Sequence, residues 1–165
     1  MGVGKSSIGR RLAHTLGMPF RDADHEIEAA AGHSISEIFA KYGEAAFRDG
    51  ERKVIARLLD AQPHVLATGG GAFNDPETRR LIRAKAVSIW LKADLEVLAA
   101  RVGKRETRPL LIGKEPMEVL RAQAADRYPA FLEADITIET GERPHHVAVD
   151  AIVKALTTLA PVATP

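Results

Sequence analysis

The sequence predicts an α/β protein in which helices cover a parallel sheet. Two observations support this fold class: helical stripes of apolar residues alternate with short apolar runs of strand length, and the connections between them are short. Repeated β–α units of this kind align their strands in one direction. No linker rich in Gly, Ser or Pro divides the 165 residues, so we expect a single domain over 1–165.

The N-terminal half begins with an amphipathic helix. Ile8, Leu12 and Leu16 recur every four residues and form one apolar stripe, which predicts a helix that Gly17 terminates. The elements expected in this half are a helix over 5–16, a strand over 18–22, helices over 26–31, 35–41 and 45–61, and a strand over 64–68.

The C-terminal half continues the alternation. Pro76 stands where the first turn of a helix tolerates proline, Asp94 is a candidate N-cap, and Pro129 predicts an interruption of the helix that contains it. The elements expected here are a helix over 76–84, a strand over 86–91, a helix from Asp94 to about 102, a polar loop over 105–114, a helix over 116–133, a strand over 136–139 and a helix over 146–159.

The bulk composition is that of an ordinary globular chain, with 45% apolar and 27% charged residues. The formal net charge is +1, from 23 basic and 22 acidic residues, so we expect neither nucleic acid nor a membrane as a partner. There is no Cys, which excludes thiolate chemistry and fits a reducing, cytoplasmic environment. We expect a cytoplasmic monomer.

The opening run Gly2-Val3-Gly4-Lys5-Ser6 matches the end of the nucleotide-binding pattern G-x-x-x-x-G-K-[ST]. In that pattern backbone N–H groups surround phosphates, Lys contacts the β- and γ-oxygens, and Ser ligates Mg²⁺. The expected helix follows directly, and its N-terminus favours an anion. A flexible Gly-rich N-terminus is the alternative. The first Gly of the pattern would fall two residues before Met1, and the strand that should lead into the loop is absent from the sequence.

Two further polar groups follow predicted strands. Asp22 and Asp24 come at the end of the first strand, where one carboxylate could serve Mg²⁺ and the other a substrate hydroxyl, or one could simply cap the next helix. Gly69, Gly70 and Gly71 follow the second strand and allow close approach of a ligand, or form only a permissive turn.

Three arginines are candidates for binding a carboxylate or phosphate. Arg48 lies near the start of a helix, Arg108 lies in the polar loop, and Arg127 lies in the run Asp-Arg-Tyr-Pro. Each of them taken alone could equally be a solvated surface residue. His145 and His146 are adjacent, so they point apart on a helix and do not predict a metal site.

Taken together, these segments resemble the shikimate kinase family over nearly the whole chain. The resemblance rests on GVGKSSIGRRLA, DADHEIE, IFAKYGEAAFRDGE, VLATGGGA, RPLL and DRYPAF, in this order and spacing. It implies a three-layer P-loop kinase fold with a parallel sheet of order 2-3-1-4-5, of which strand 1 is missing here. It also implies a lid loop over about 104–115 and substrate-binding helices over about 25–61.

The resemblance further implies transfer of the γ-phosphate of ATP, with Mg²⁺, to the 3-hydroxyl of shikimate in aromatic amino acid biosynthesis. It assigns the catalytic roles to Lys5, Asp24 and Arg108, and the metal to Ser6 and Asp22. The ATP contacts that it implies are Gly2, Val3, Gly4, Lys5, Ser6, Ser7, Arg108 and Arg143. The shikimate contacts that it implies are Asp24, Arg48, Gly69, Gly70, Gly71 and Arg127.

Two alternatives remain open at this level. One is a related P-loop kinase for another polyol such as gluconate, since a carboxylate like Asp24 suits any polyol. The other is a nucleotide-binding or inactive protein, because a central strand would bury roughly five apolar residues, worth on the order of 10 kcal/mol.

Overall fold

The computed structural model describes residues 3–102, 115–141 and 143–159, and within them helices and strands alternate as the sequence predicts. The elements are α1 (Lys5–Leu16), β1 (Phe20–Asp22), α2 (Ala23–Ala31), α3 (Ile35–Leu59), β2 (Val65–Ala67), α4 (Pro76–Lys85), β3 (Ile89–Lys92), α5 (Leu95–Val102), α6 (Pro116–Phe131), β4 (Ile136–Glu139) and α7 (His145–Leu159). Among the described helices, none is both long and apolar enough to cross a membrane.

Three boundaries differ from the prediction for identifiable reasons. Helix α2 begins three residues early, because the Asp22 side chain accepts a hydrogen bond from the backbone of Asp24 and caps it there. The two helices expected over 35–41 and 45–61 are contiguous, and only the non-helical backbone of Gly43 separates them. The interruption expected at Pro129 is wrong: α6 continues through it to Phe131, at the cost of the one backbone hydrogen bond that a proline cannot donate.

The described strands form two parallel pairs. Strand β1 pairs with β2 in the register Phe20–Val65, and β3 pairs with β4 in the register Ile89–Ile136. In the order 2-3-1-4-5 these pairs occupy the positions on either side of a central strand. The parallel sheet is therefore confirmed, and the central position is not filled by any described strand.

A cavity of about 630 Å³ lies between the two pairs. We call it the central groove and define it by its apolar lining from four elements: Ile8 and Leu12 of α1, Val65 and Leu66 of β2, Ile89 and Leu91 of β3, and Leu98 of α5. Helix α1 holds the pairs together from one side, since the cluster of Ile8 and Leu12 contacts both β2 and β3. The facing edges of β2 and β3 have no strand partner within the described ranges.

Separate small cores position the elements around the carboxyl ends of the strands. Val3 is buried against Ala93, Leu98 and Leu120, so the chain is fixed just before α1 begins. A second core of Ile27, Ile38, Phe47, Val54 and Leu58 joins α2 to α3. These two cores place the start of α1 and the inner face of α3 at the same end of the sheet.

Candidate active site

The segment before α1 has the conformation of an anion-binding loop. Gly4 caps the helix with φ 89° and ψ 24°, in the left-handed region that glycine adopts readily. Lys5 and Ser6 then form the first turn, where the backbone N–H groups at a helix N-terminus and the helix dipole favour a phosphate. Val3, Gly4, Lys5, Ser6 and Ser7 thus lie where the motif predicts them, at the carboxyl end of the sheet.

Asp22 connects this loop to α2. The Ser6 hydroxyl donates to Oδ2 of Asp22 at 2.8 Å, and the backbone N–H of Asp24 donates to Oδ1 at 3.2 Å. Asp22 therefore caps α2, as one of the two interpretations of this aspartate pair expects, and it also faces the nucleotide loop, while its role toward Mg²⁺ stays a prediction. Asp24 is left to point its carboxyl at the glycine triplet.

The glycine triplet lies within a ring of charged side chains. A Cβ on Gly69 would lie 3.3 Å from Oε1 of Glu51 and 3.4 Å from Oδ1 of Asp24. A Cβ on Gly70 would lie 2.7 Å from Nη1 of Arg127, closer than real Cβ atoms come to other heavy atoms. A side chain at Gly70 would therefore require the flexible end of Arg127 to move, so glycine at this position lets the guanidinium approach the backbone closely.

Arg48 approaches Gly71 in the same way, since a Cβ there would lie 2.8 Å from its Cζ. Its Nη1 donates to Oε2 of Glu51 at 2.8 Å, and its Nη2 donates to Oε1 of Glu44 at 3.2 Å. Burial acts to lower the pKa of Arg48, but the two glutamates outweigh it and raise that pKa. The guanidinium is therefore fixed in place and fully charged.

Arg127 reaches the triplet from α6 on the opposite side. Its Nη1 donates only a long bond of 3.4 Å to Gln123, and its buried Nε has no hydrogen-bond partner. No carboxylate of the described residues forms an ion pair with it. Burial lowers the pKa of Arg127, and the positive charge of Arg48 lowers it further. A second guanidinium held near Arg48, with no ion pair among the described residues, is the arrangement expected of an anion site.

Asp24 brings a further carboxylate to the glycine triplet, with its Oδ1 facing Gly69. Burial in the cleft raises its pKa, and the neighbouring Asp22 carboxylate raises it further, against the opposing effects of Lys5 and Arg48. The Lys5 ammonium is thus close enough to act on Asp24, which links the phosphate loop with the cleft. We call the site of Asp24, Arg48, Glu51, Gly69–Gly71 and Arg127 the polar cleft.

The comparisons with known proteins agree with this geometry. The family model for shikimate kinase matches residues 1–157. The shikimate kinase of Caulobacter vibrioides is 68% identical over 156 residues, which cover 94% of this chain and 78% of that protein. The solved shikimate kinase from Acinetobacter baumannii in complex with shikimate superimposes with a TM-score of 0.91 at 35% identity, covering 97% of this chain and 90% of that chain.

This chain belongs to the shikimate kinase family. It is accordingly an ATP-dependent kinase, a transferase that uses Mg²⁺. A gluconokinase from Sinorhizobium meliloti also matches, with a TM-score of 0.64 at 18% identity over 97% of this chain and 89% of that chain, which shows the shared fold alone. The family match therefore favours shikimate over the polyol alternative.

The shikimate kinase site needs a metal, and the side chains present fit one. The hydroxyl of Ser6 and the carboxylate of Asp22 meet at 2.8 Å, and oxygen ligands of these two kinds suit Mg²⁺. The described residues contain no group of three or more His, Cys, Asp or Glu side chains that could enclose a metal by themselves. Magnesium typically keeps waters and phosphate oxygens as its other ligands, so two protein ligands are sufficient.

The described parts of the site do not include every predicted residue. Gly2, Arg108 and residues 104–114 of the lid fall outside the described residues. Arg143 is exposed at the edge of a second, smaller cavity of about 180 Å³, which Val3, Gly141, Pro144 and His145 also line. It lies away from the polar cleft and near the phosphate loop.

Sequence reasoning missed Glu51 as a site residue. Its side chain is 3% exposed, burial raises its pKa, and the hydrogen bond from Arg48 acts in the opposite direction. The signal was present in the run Phe-Arg-Asp-Gly-Glu, because Arg48 and Glu51 at i and i+3 share one helix face.

Proposed function

We propose that this chain transfers the γ-phosphoryl group of ATP to the 3-hydroxyl of shikimate, with the polar cleft as the acceptor site. The observation that carries this assignment is the convergence of Arg48 and Arg127 on the glycine triplet beside Asp24. Two guanidinium groups suit the single carboxylate of shikimate, and an aspartate suits its hydroxyls.

The acceptor is held by three kinds of contact. Arg48 and Arg127 bind the carboxylate, Gly69–Gly71 allow the ring to approach the backbone, and Asp24 accepts a hydrogen bond from the reacting hydroxyl. During transfer the hydroxyl oxygen forms a bond to the γ-phosphorus, the bridging bond to the β-phosphate breaks, and ADP leaves. The hydroxyl proton passes to Asp24. The raised pKa of this carboxylate makes it a stronger base for accepting that proton.

The donor is held by the segment at the start of α1. The phosphates would be surrounded by backbone N–H groups of Gly2, Val3, Gly4, Ser6 and Ser7. Lys5 would place its charge on the β- and γ-oxygens. Ser6 and Asp22 would hold Mg²⁺, which neutralises phosphate charge when bound. Arg108 and Arg143 are proposed as further ATP contacts, from the lid over about 104–115 and from the segment before α7.

The remaining proposals concern which helices bind the acceptor, where the protein is located in the cell and how many copies of the chain are needed for activity. We assign the acceptor side to the helices over about 25–61, because α2 and α3 carry Asp24, Arg48 and Glu51. We assign the protein to the cytoplasm, where its substrate ATP is produced, and we propose that a single copy of the chain is active.

Arg48→Ala tests this proposal. Loss of a buried charged contact with the carboxylate should raise the shikimate KM about a hundredfold and leave the ATP KM within about twofold. Arg52→Ala is the matched control, because Arg52 lies one turn further along α3 and pairs with Asp49 and Asp75 instead. The rates are measured by coupled ADP release with shikimate and with gluconate.

The outcomes separate the candidate functions. Turnover of shikimate alone, with a shikimate KM that responds to Arg48→Ala and not to Arg52→Ala, supports the assignment. An unchanged shikimate KM in Arg48→Ala would remove Arg48 from the site. Comparable turnover of gluconate would favour the polyol kinase.

A further inference from the structure

The imidazole of His145, the first residue of α7, lies against the phosphate loop. A Cβ on Gly4 would lie 3.1 Å from Nε2, 3.6 Å from Cε1 and 3.8 Å from Cδ2 of this ring. Three ring atoms therefore surround the side of Gly4 that a side chain would occupy. Neither the phosphate-loop motif nor the charge pattern assigns His145 any part in nucleotide binding.

Gly4 needs such a contact because glycine has no side chain that restricts its backbone conformation. A glycine populates positive and negative φ about equally, so nothing in the residue itself holds φ at 89°. Another φ at this position would turn the N–H groups of Lys5 and Ser6 away from the place where the phosphates bind. A bulky group on the open side of Gly4 restricts these alternatives by steric exclusion.

The helix that carries His145 is firmly fixed to the helix that the loop begins. Ala148, Val149 and Ile152 of α7 pack against Ile8 and Leu12 of α1 in one buried cluster. The ring of His145 is therefore presented to Gly4 from a rigid neighbour. His145 is half-buried there, whereas the adjacent His146 is exposed.

The same ring also borders the smaller cavity. His145, Val3 and Arg143 all line that space of about 180 Å³, so the imidazole contacts Gly4 and faces the cavity as well. A residue in this position acts on the loop without contact to the reacting atoms.

We propose that His145 is a positioning residue for the phosphate loop, which it preorganises by packing its ring against Gly4. Replacing it leaves every group that touches shikimate in place, and the cost falls on nucleotide binding alone. This inference rests on the assignment of the loop to ATP.

The test compares His145→Ala, His145→Gln and His145→Phe with the control His146→Ala. Loss of the ring in the Ala and Gln variants should raise the ATP KM about tenfold, because preorganisation of the loop is lost, with kcat and the shikimate KM within about twofold. The Phe variant keeps a flat ring and should restore the ATP KM to within about threefold of the parent. Calorimetric titration with MgADP gives the same comparison without turnover, and thermal melts confirm that each variant folds.

Three results would overturn the proposal. One is an ATP KM and MgADP affinity within twofold of the parent in whichever of the Ala and Gln variants folds. Another is a Phe variant as impaired as Ala, which would indicate a polar contact of the imidazole instead of ring packing. The last is an equal effect in His146→Ala. Failure of the acceptor assignment would instead appear as a shikimate KM that Arg48→Ala leaves unchanged, so the two proposals fail separately.

Discussion

The polar cleft and the central groove lie on the same sheet and are built in opposite ways. The polar cleft is charged, and its side chains are fixed by the ion pairs of Arg48 with Glu51 and Glu44. The central groove is apolar, about 630 Å³ in volume, and bordered by strand edges without a strand partner in the described parts of the chain. Arg48 in the polar cleft is held by contacts with its neighbours, whereas the central groove has volume that further apolar side chains could fill.

This difference separates the acceptor side from the donor side. The polar cleft is carried by α2, α3 and α6 and by the glycines after β2, and it meets the central groove only where Gly69, Gly70 and Arg127 line both. The phosphate loop depends on Val3 and α1, which also border that groove. Asp24 and Arg48 lie outside the lining of the groove, so acceptor binding should respond less than stability and nucleotide binding to changes there.

The largest expected effect comes from filling the central groove. Fusing a run of five apolar, β-branched residues and Gly-x ahead of Met1 should add a parallel strand between β2 and β3. Burial of about five side chains at roughly 1.5–3 kcal/mol each should raise the free energy of unfolding by on the order of 10 kcal/mol. Urea denaturation, monitored by circular dichroism, measures this change.

A Gly/Ser extension of equal length is the matched control, because it supplies backbone without apolar side chains. Equal denaturation midpoints for the two extensions would show that the groove does not accept a strand. The shikimate KM should differ less between the two extensions than the free energy of unfolding does, since Asp24 and Arg48 lie outside the lining of the groove.

The next largest effect is expected from Asp24→Asn in the polar cleft. Loss of the proton acceptor should lower kcat by about 10²–10⁴-fold. The same change should raise the melting temperature at neutral pH. Burial raises the pKa of Asp24 in the folded chain, so folding loses stability as pH rises through that pKa, and Asn removes the cost.

Asp49→Asn is the control for both readouts. Asp49 is paired with Lys53 on the outer face of α3, and the hydrogen bond from Lys53 lowers its pKa, so the stability effect has the opposite sign. Melting curves as a function of pH check the prediction: the advantage of Asp24→Asn should disappear below pH 3.8, the ordinary pKa of the group. An advantage that persists there would contradict the assigned cause.

A smaller effect is expected from Gly71→Ala. The added methyl group would meet the Arg48 guanidinium and force it to move, which should raise the shikimate KM about tenfold. Gly50→Ala is the control, because a Cβ there meets nothing within 4 Å and alanine favours the helix by roughly 0.5–1 kcal/mol. Steady-state kinetics and melting temperatures distinguish them. An unchanged KM in Gly71→Ala would indicate that Arg48 is free to adjust.

Most of the fold follows from local pattern. The stripe of Ile8, Leu12 and Leu16 and the cap at Gly17 define α1 as predicted. The interruption predicted at Pro129 is wrong because a proline removes one backbone hydrogen bond of α6, and the helix forms in spite of that loss. The separation into two strand pairs was predictable only through the family order, since no local property of β2 or β3 reveals which strand stands between them.

The candidate site divides in the same way. The motifs indicated Asp24, Arg48, the glycine triplet and Arg127 one by one, and the structure brings them together. Glu51 was missed although its i,i+3 spacing from Arg48 is a local signal, because the sequence does not show how deeply its side chain is buried. His145 was missed because it meets Gly4 across more than a hundred residues of chain. Contacts of that kind leave no periodic signal in a sequence.

The central claim is that Arg48 and Arg127 bind the carboxylate of shikimate, and a double-mutant cycle with the substrate tests it most directly. The measurement is kcat/KM for shikimate and for its uncharged methyl ester, in the parent and in Arg48→Ala/Arg127→Ala. We predict that the parent prefers the acid about a hundredfold, as loss of a buried charged contact requires, and that the double variant barely distinguishes the two. An equal preference for the acid in both proteins would contradict the account.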